Sequence, residues 1–183
     1  KLDGGTIELS AAGDQTLRGN KAYRNLTFSN NGTKSISSAV SSVTGTILIK
    51  DDAVLNVGSN AMGGAGTNLT MEGNSKYITA GVLTKPDAQG TYTLGPVTTI
   101  EFSNSNNATI QDIRLGLSAE NPIAYNHIII SGNNVGNTSL ASTPITMQVG
   151  STFKVLPGAR FRHKNANGFS GASNTCLTNA PAI

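Results

Sequence analysis

The chain has 183 residues, of which 37% are hydrophobic and 13% charged, and its formal net charge is +3. This composition excludes a typical disordered chain, which carries more charge and fewer β-branched residues. Lysine and arginine are dispersed apart from one short run, which excludes the clustered footprint of a nucleic-acid-binding protein. The single cysteine, Cys176, excludes an internal disulfide. No apolar run approaches the length of a membrane-spanning helix.

The predicted elements are short strands separated by turns. Glycine, serine, threonine and asparagine are abundant, and these residues disfavour helices and form turns. Alternation of apolar and polar residues, the pattern of a half-buried strand, recurs in chain order at 6–9, 25–28, 46–49, 54–57 and 68–71. No stretch shows a sustained helical period. Many short strands without helices predict an all-β fold, either a sandwich, a barrel or a solenoid.

An internal repeat indicates which of these folds to expect. Three segments match later ones in the same order, at offsets that grow from 93 to 102 and then 106 residues. The matched segments, each with its partner in brackets, are 5–10 (98–103), 22–29 (124–131) and 46–55 (152–161). We predict two copies, 1–97 and 98–183, within one continuous solenoid segment. The second copy carries about nine extra residues near 114–122.

A repeat of about 100 residues is too long for one coil, so each copy must hold several coils of two or three short strands. Stacked coils bury a continuous inner row of aliphatic side chains that no single coil could bury. Asparagine and threonine at the turns suit side-chain ladders that run from coil to coil. We therefore predict a parallel β-helix or β-solenoid with turns rich in Asn, Gly and Ser. The alternative is an antiparallel β-sandwich, which the low aromatic content of 5% disfavours.

Two patches of sequence resemble a known family. Residues 23–29, YRNLTFS, followed by NGTK at 31–34, resemble the module Y-x-N-L-T-x-S-x-x-G-T-K of large repeat-bearing surface proteins of Bacteroidetes. Residues 150–159 and 167–171 are similar to the same proteins. The resemblance implies export by the type 9 secretion system, a cell-surface or extracellular location, and a β-helix-like stalk. Members of this family are often adhesins or proteins associated with gliding motility.

The carboxylates give no sign of a catalytic pair. Asp51 and Asp52 are adjacent, so on a strand they would point to opposite faces, and Asp-Asp is a common turn pair. The matching residues of the second copy are Pro157 and Gly158, also a turn. Glu8 and Glu101 occupy the same place in the two copies, between core-facing residues, so both should face solvent as solubilising charges.

Metal and nucleophile signatures are also missing. His127 and His163 have no second ligand three to five residues away. Cys176 lies in a Ser/Asn/Thr-rich loop and is expected to be a small, partly buried residue. The stretch 63–68 approaches a calcium-binding glycine-rich turn but lacks the aspartate. We predict no catalytic, cofactor-binding or metal-binding residues, and no cofactor.

One short basic run stands out. Arg160, Arg162 and Lys164 alternate with Phe161 and His163, which on a strand places three bases on the outer face. Such a face could attract an acidic polysaccharide or lipopolysaccharide. A merely solvated outer face is the favoured interpretation.

These patterns predict a non-catalytic structural or adhesive repeat segment of a large secreted bacterial surface protein, acting as a stalk or adhesin. Expected partners are a surface polysaccharide, secretion or anchoring machinery, and neighbouring repeats of the same chain. No nucleic acid is expected, and the chain should not span a membrane. The alternative is a carbohydrate-binding or polysaccharide-degrading β-helix protein. A binding module would present exposed aromatic residues, whereas Tyr23 and Tyr125 are repeat-equivalent and fit packing positions.

Overall fold

The computed structural model describes residues 5–40, 42–64, 66–81, 86–88, 90–106, 108–113, 123–137, 145–163 and 177. In these ranges the chain forms nineteen strands and no helix. The strands are β1 (Thr6–Leu9), β2 (Gln15–Leu17), β3 (Ala22–Tyr23), β4 (Asn25–Phe28), β5 (Thr33–Ile36), β6 (Ser42–Val43), β7 (Thr46–Ile49), β8 (Val54–Gly58), β9 (Met62–Gly64), β10 (Asn68–Met71), β11 (Lys76–Thr79), β12 (Pro86–Ala88), β13 (Tyr92–Leu94), β14 (Thr99–Phe102), β15 (Gln111–Asp112), β16 (Ala124–Ile130), β17 (Val135–Asn137), β18 (Thr146–Val155) and β19 (Phe161–His163).

The strands stack into three faces of a solenoid. The first face is a five-stranded sheet of order β1-β4-β7-β10-β13, and the second is a seven-stranded sheet of order β2-β5-β8-β11-β14-β16-β18. The third face consists of three short sheets, β3-β6, β9-β12 and β15-β17-β19. Every strand pairing among the described residues is parallel. The predicted parallel β-solenoid is confirmed, and the antiparallel sandwich is excluded.

The chain visits the faces in a fixed order, so that each return to a face begins a new coil. Coil 1 begins at β1, and coils 2 to 7 begin at β4, β7, β10, β13, β16 and β18, so about six turns separate the start of coil 1 from the start of coil 7. Paired residues of successive coils lie 19 residues apart between Thr6 and Asn25, and 28 apart between Ile100 and Ile128. In coils 6 and 7 the long strands β16 and β18 are each followed directly by a third-face strand. The true repeat unit is therefore a coil of about twenty residues or slightly more.

The core is a set of inward rows that run along the stack. Because side chains alternate between the two sides of a strand, every second residue of each sheet points inward. One row on the second face is made of fully buried residues, Leu55, Tyr77, Ile100, Ile128 and Phe153. Burial of such a side chain contributes roughly 2 kcal/mol to folding. Each row is continuous from coil to coil, so the core has no break along the described stack.

The corner between the first and second faces is a stacked turn. In coil 3 the N–H of Ala53 donates to the carbonyl of Lys50 at 3.2 Å, and Asp51 has a φ of 59°. The equivalent residues in coils 2 and 4 are Asn30, with a φ of 59°, and Gly73, also with a φ of 59°. The ladder bonds from Lys50 to Phe28 and from Glu72 to Ile49 fix this equivalence. Asn, Asp and Gly are the residues that adopt the left-handed conformation most readily.

The segments that match in sequence lie on different faces. β1 belongs to the first face, but its match β14 belongs to the second. The same shift of one face separates β4 from β16, and β7 from β18. An offset of about 100 residues thus corresponds to four coils and one face. The proposed division at 97/98 stays a prediction, and the extra residues near 114–122 lie outside the described ranges.

Candidate functional site

The aspartate pair lies in the corner turn of coil 3. Asp51 and Asp52 are both exposed, and they form the two central residues of the turn closed by Lys50 and Ala53. The turn interpretation is confirmed. The left-handed backbone at Asp51 directs the chain from the first face to the second, which gives these residues a geometric role.

The two repeat-related glutamates each have a serine and a lysine as partners. Glu8 Oε1 accepts a hydrogen bond from Ser29 Oγ at 2.8 Å, and Lys50 Nζ lies 3.9 Å away. Glu101 Oε1 accepts from Ser131 Oγ at 2.5 Å, and its Oε2 lies 2.5 Å from Lys76 Nζ. In both cases the serine belongs to the next coil and matches in the sequence repeat. The outward orientation is confirmed, but the side chain of Glu101 is only 14% exposed because its partners cover it.

Around Glu101 the second face assembles a polar cluster that the sequence did not reveal. Lys76, Thr99, His127 and Thr152 form one outward row, in which each residue pairs with the next along the stack. His127 Nδ1 lies 2.8 Å from Thr152 Oγ1. Lys76, Glu101 and His127 thus stand on three successive coils. They are about 25 residues apart in sequence, so their proximity could be predicted only by knowing the length of each coil.

The chemistry available to this cluster is limited by its internal pairing. Both oxygens of Glu101 already have partners, one an ammonium group and the other a hydroxyl. The arrangement fits a paired surface charge, in which Lys76 and Ser131 hold the carboxylate in one position.

The remaining predicted candidates are scattered. His163 is exposed on β19, whereas Cys176 and Lys164 lie outside the described residues. In the glycine-rich stretch, Gly63 and Gly66 have positive φ, but residue 65 is not described. Within the described ranges no group of three or more His, Cys, Asp or Glu side chains is placed to hold a metal ion.

A buried lysine is the most unusual polar residue of the core. Lys34 is fully buried at the inward position of β5, where the next coils have Leu55 and Tyr77. Its Nζ donates to the carbonyls of Ala11 at 2.7 Å, Gly13 at 2.7 Å and Asn31 at 3.0 Å. The ammonium group therefore links the corner turns of coils 1 and 2 through hydrogen bonds. The sequence resemblance includes Lys34 but does not predict that it is buried. Its burial follows because Lys34 and Ile36 are two residues apart on β5 and therefore point to the same, inward side.

Buried amides form a ladder at the corner between the second and third faces. Asn104 Nδ2 donates to the carbonyls of Thr109 and Asn134, and Asn134 Nδ2 donates to those of Asn106 and Thr109. Gln111 Nε2 reaches back to the carbonyls of Thr79 and Gly81 in the preceding coil. As expected, amide side chains at the turns link successive coils, but at this corner they bond to backbone carbonyls and not to one another.

The tyrosines are packing residues rather than an exposed binding platform. The hydroxyl of Tyr23 donates to the carbonyl of Arg18 at 2.6 Å, and that of Tyr125 donates to the carbonyl of Ile113 at 2.7 Å. Both side chains are buried, as expected. Tyr77 is fully buried, and this burial, with a smaller effect of Tyr92, raises the pKa of its hydroxyl above the ordinary value.

The basic run lies on coil 7. Lys154 projects outward from β18, Arg160 precedes β19, and Arg162 projects outward from β19. All three side chains are exposed, and no ion pair within the described residues involves them. Phe161, which lies between the two arginines, packs inward against Phe153 with 5.1 Å between ring centroids. The predicted alternation of outward bases and an inward aromatic residue is confirmed for 160–162.

Comparison with protein-family models, with curated proteins and with solved structures finds no match to this chain. None of the described segments forms a helix long and apolar enough to cross a membrane.

Proposed function

We propose that this chain is a non-catalytic structural and adhesive segment of a large secreted bacterial surface protein. The observation that carries the proposal is the unbroken parallel core of the solenoid, which adds length with every coil and displays flat outer faces. Support for export by type 9 secretion, and for an extracellular stalk or gliding-associated adhesin of Bacteroidetes, comes from the resemblance of residues 23–34.

The outer surface of the first face fits a display role. Its outward positions hold short, mostly uncharged side chains, namely Thr6, Glu8, Asn25, Thr27, Thr46, Leu48, Asn68 and Thr70. Asn25 Oδ1 accepts from the N–H of Thr46 at 3.0 Å, and Asn68 Oδ1 accepts from that of Thr91 at 2.8 Å. These amides bind the backbone of the next coil, so the surface is rigid.

A second candidate function is that of a polysaccharide-degrading β-helix enzyme. The observation that favours it is the placement of Lys76, Glu101 and His127 on successive coils of one face. Against it stands the pairing of both Glu101 oxygens.

A screen of the purified chain against plant and microbial polysaccharides separates the two functions. We expect no release of reducing ends or unsaturated products from any of them. Product release that is abolished by Glu101→Gln but retained by Glu8→Gln would overturn the structural proposal in favour of the enzyme. Glu8 is the control because it occupies the matching place in the sequence repeat and also has a serine and a lysine as neighbours, Ser29 and Lys50.

A further inference from the structure

The excess positive charge of the chain lies in its C-terminal third. Residues 121–183 contain four lysines and arginines, namely Lys154, Arg160, Arg162 and Lys164, and no aspartate or glutamate. All ten acidic residues and the other nine basic ones lie in residues 1–120. The net charge of +3 therefore arises entirely from the last third of the sequence, where no carboxylate of the same segment can neutralise it.

The bases of coil 7 are additions to the repeat. In the sequence match between 46–55 and 152–161, Leu48 corresponds to Lys154 and Val54 to Arg160. One residue further on, Asn56 corresponds to Arg162 at the same offset. The two matched segments contain the same kind of turn, because Ala159 N donates to the Leu156 carbonyl just as Ala53 N donates to that of Lys50. In the stack, Lys154 pairs with Ile129 and Arg162 with Gly136 of coil 6, and both partners are uncharged. The fold alone therefore does not require the bases.

The three cations are held on a rigid edge. Lys154 is outward because the adjacent Phe153 is fully buried, and Phe161 separates the arginines by packing inward on Phe153. The N–H of Arg160 donates to the carbonyl of Gly132 at 3.0 Å, which ties this edge to coil 6. A surface whose backbone is fixed before binding loses little conformational freedom when a ligand arrives. Arginine forks and a lysine ammonium are suited to carboxylate groups.

We propose that Lys154, Arg160 and Arg162 form a binding edge for an acidic polysaccharide, a linear chain bearing carboxylates. This inference rests on the adhesive function proposed above and names its ligand class. A single-stranded nucleic acid is disfavoured because such ligands stack on exposed aromatic residues, and both phenylalanines of this edge pack against each other. Affinity for duplex DNA comes mainly from phosphate contacts, and three bases supply few of them.

The test is binding of fluorescently labelled oligogalacturonate, measured by anisotropy at low salt. The variant Lys154→Gln/Arg160→Gln/Arg162→Gln should bind roughly tenfold more weakly than the wild type, since exposed ion pairs each contribute modestly. Binding by the wild type should also weaken as sodium chloride is raised, because exposed charges are screened. Neutral dextran should not bind through this edge.

The matched control is Arg18→Gln/Lys21→Gln/Arg24→Gln on coil 1. These three side chains are also exposed, and their removal changes the net charge by the same amount. They lie six strand spacings from coil 7, or about 29 Å. The control should retain wild-type affinity, and circular dichroism should show both variants folded.

Equal weakening in both variants would mean that net charge alone attracts the ligand, and it would overturn the proposal. So would the absence of oligogalacturonate binding by the wild type, or tighter binding of a single-stranded oligonucleotide or of phosphatidylserine vesicles through the same edge. None of these results would contradict the structural function, because that function is tested separately, by the absence of product release from polysaccharides.

Discussion

At the residue scale, the polar groups of the core do the most to define this solenoid. A buried lysine is costly unless every proton finds an acceptor. Lys34 meets that condition with three backbone carbonyls, none of which it shares with the core residues above it. The sequence alone indicates an inward position through the alternation with Ile36, but it cannot indicate the carbonyls, which belong to turns up to 23 residues away.

We expect Lys34→Met to lower the free energy of unfolding by about 3 kcal/mol, because it retains the apolar stem but leaves buried carbonyls of coils 1 and 2 without a donor. Urea unfolding followed by circular dichroism measures the change. Lys50→Met is the control, since Lys50 lies on the surface and is 3.9 Å from Glu8; its effect should stay within about 1 kcal/mol. A Lys34→Met protein as stable as the wild type would show that the three bonds contribute nothing.

At the scale of single elements, alternation and turn residues predict the strands well. The five strands expected at 6–9, 25–28, 46–49, 54–57 and 68–71 all form. What the sequence could not provide is the face on which each strand lies, because that depends on the summed lengths of the preceding turns. The match between β1 and β14 illustrates this, since both have the same inward and outward pattern but lie on adjacent faces.

Close approach of the backbone at a corner gives an element-scale prediction. A Cβ at Gly132 would lie 2.1 Å from the carbonyl oxygen and 2.5 Å from the nitrogen of Asn104, in the coil below. Both are backbone atoms of the ladder, so coils 5 and 6 would have to separate at this corner. We expect Gly132→Ala to cost about 2 kcal/mol or more.

Thermal unfolding of Gly132→Ala beside Gly5→Ala tests this expectation. Gly5 has nothing within 4 Å of the added Cβ and no positive φ, so its substitution should leave the melting temperature nearly unchanged. If the two variants melt together, the close approach at Asn104 is not a constraint on the stack.

At the scale of the whole molecule, the solenoid is a one-dimensional stack in which the strands of a coil pair only with those of the coils above and below it. The candidate surfaces follow from this order. The cluster of Lys76, Glu101 and His127 exists because successive coils place distant residues side by side, and the basic edge exists because coil 7 differs from the coils before it. The cluster could not be predicted before coil length was known, whereas the two arginines of the basic edge were visible as an alternating run at 160–162 and the fold class followed from composition and turn spacing.

The same order predicts how the molecule opens. Among the described strands, β2 and β18 end the second face and have a paired strand on one side only, whereas β8 and β11 are paired on both sides. Stability in a stacked array is carried by interfaces between neighbours, so the end coils should open more often than the middle ones. In native-state hydrogen exchange we expect the amides of Leu55 and Tyr77 to exchange at least about tenfold more slowly than that of Leu17, which faces coil 2; this ratio corresponds to about 1.4 kcal/mol. Uniform protection along the second face would contradict this expectation, because it would mean that all seven coils open as a single cooperative unit.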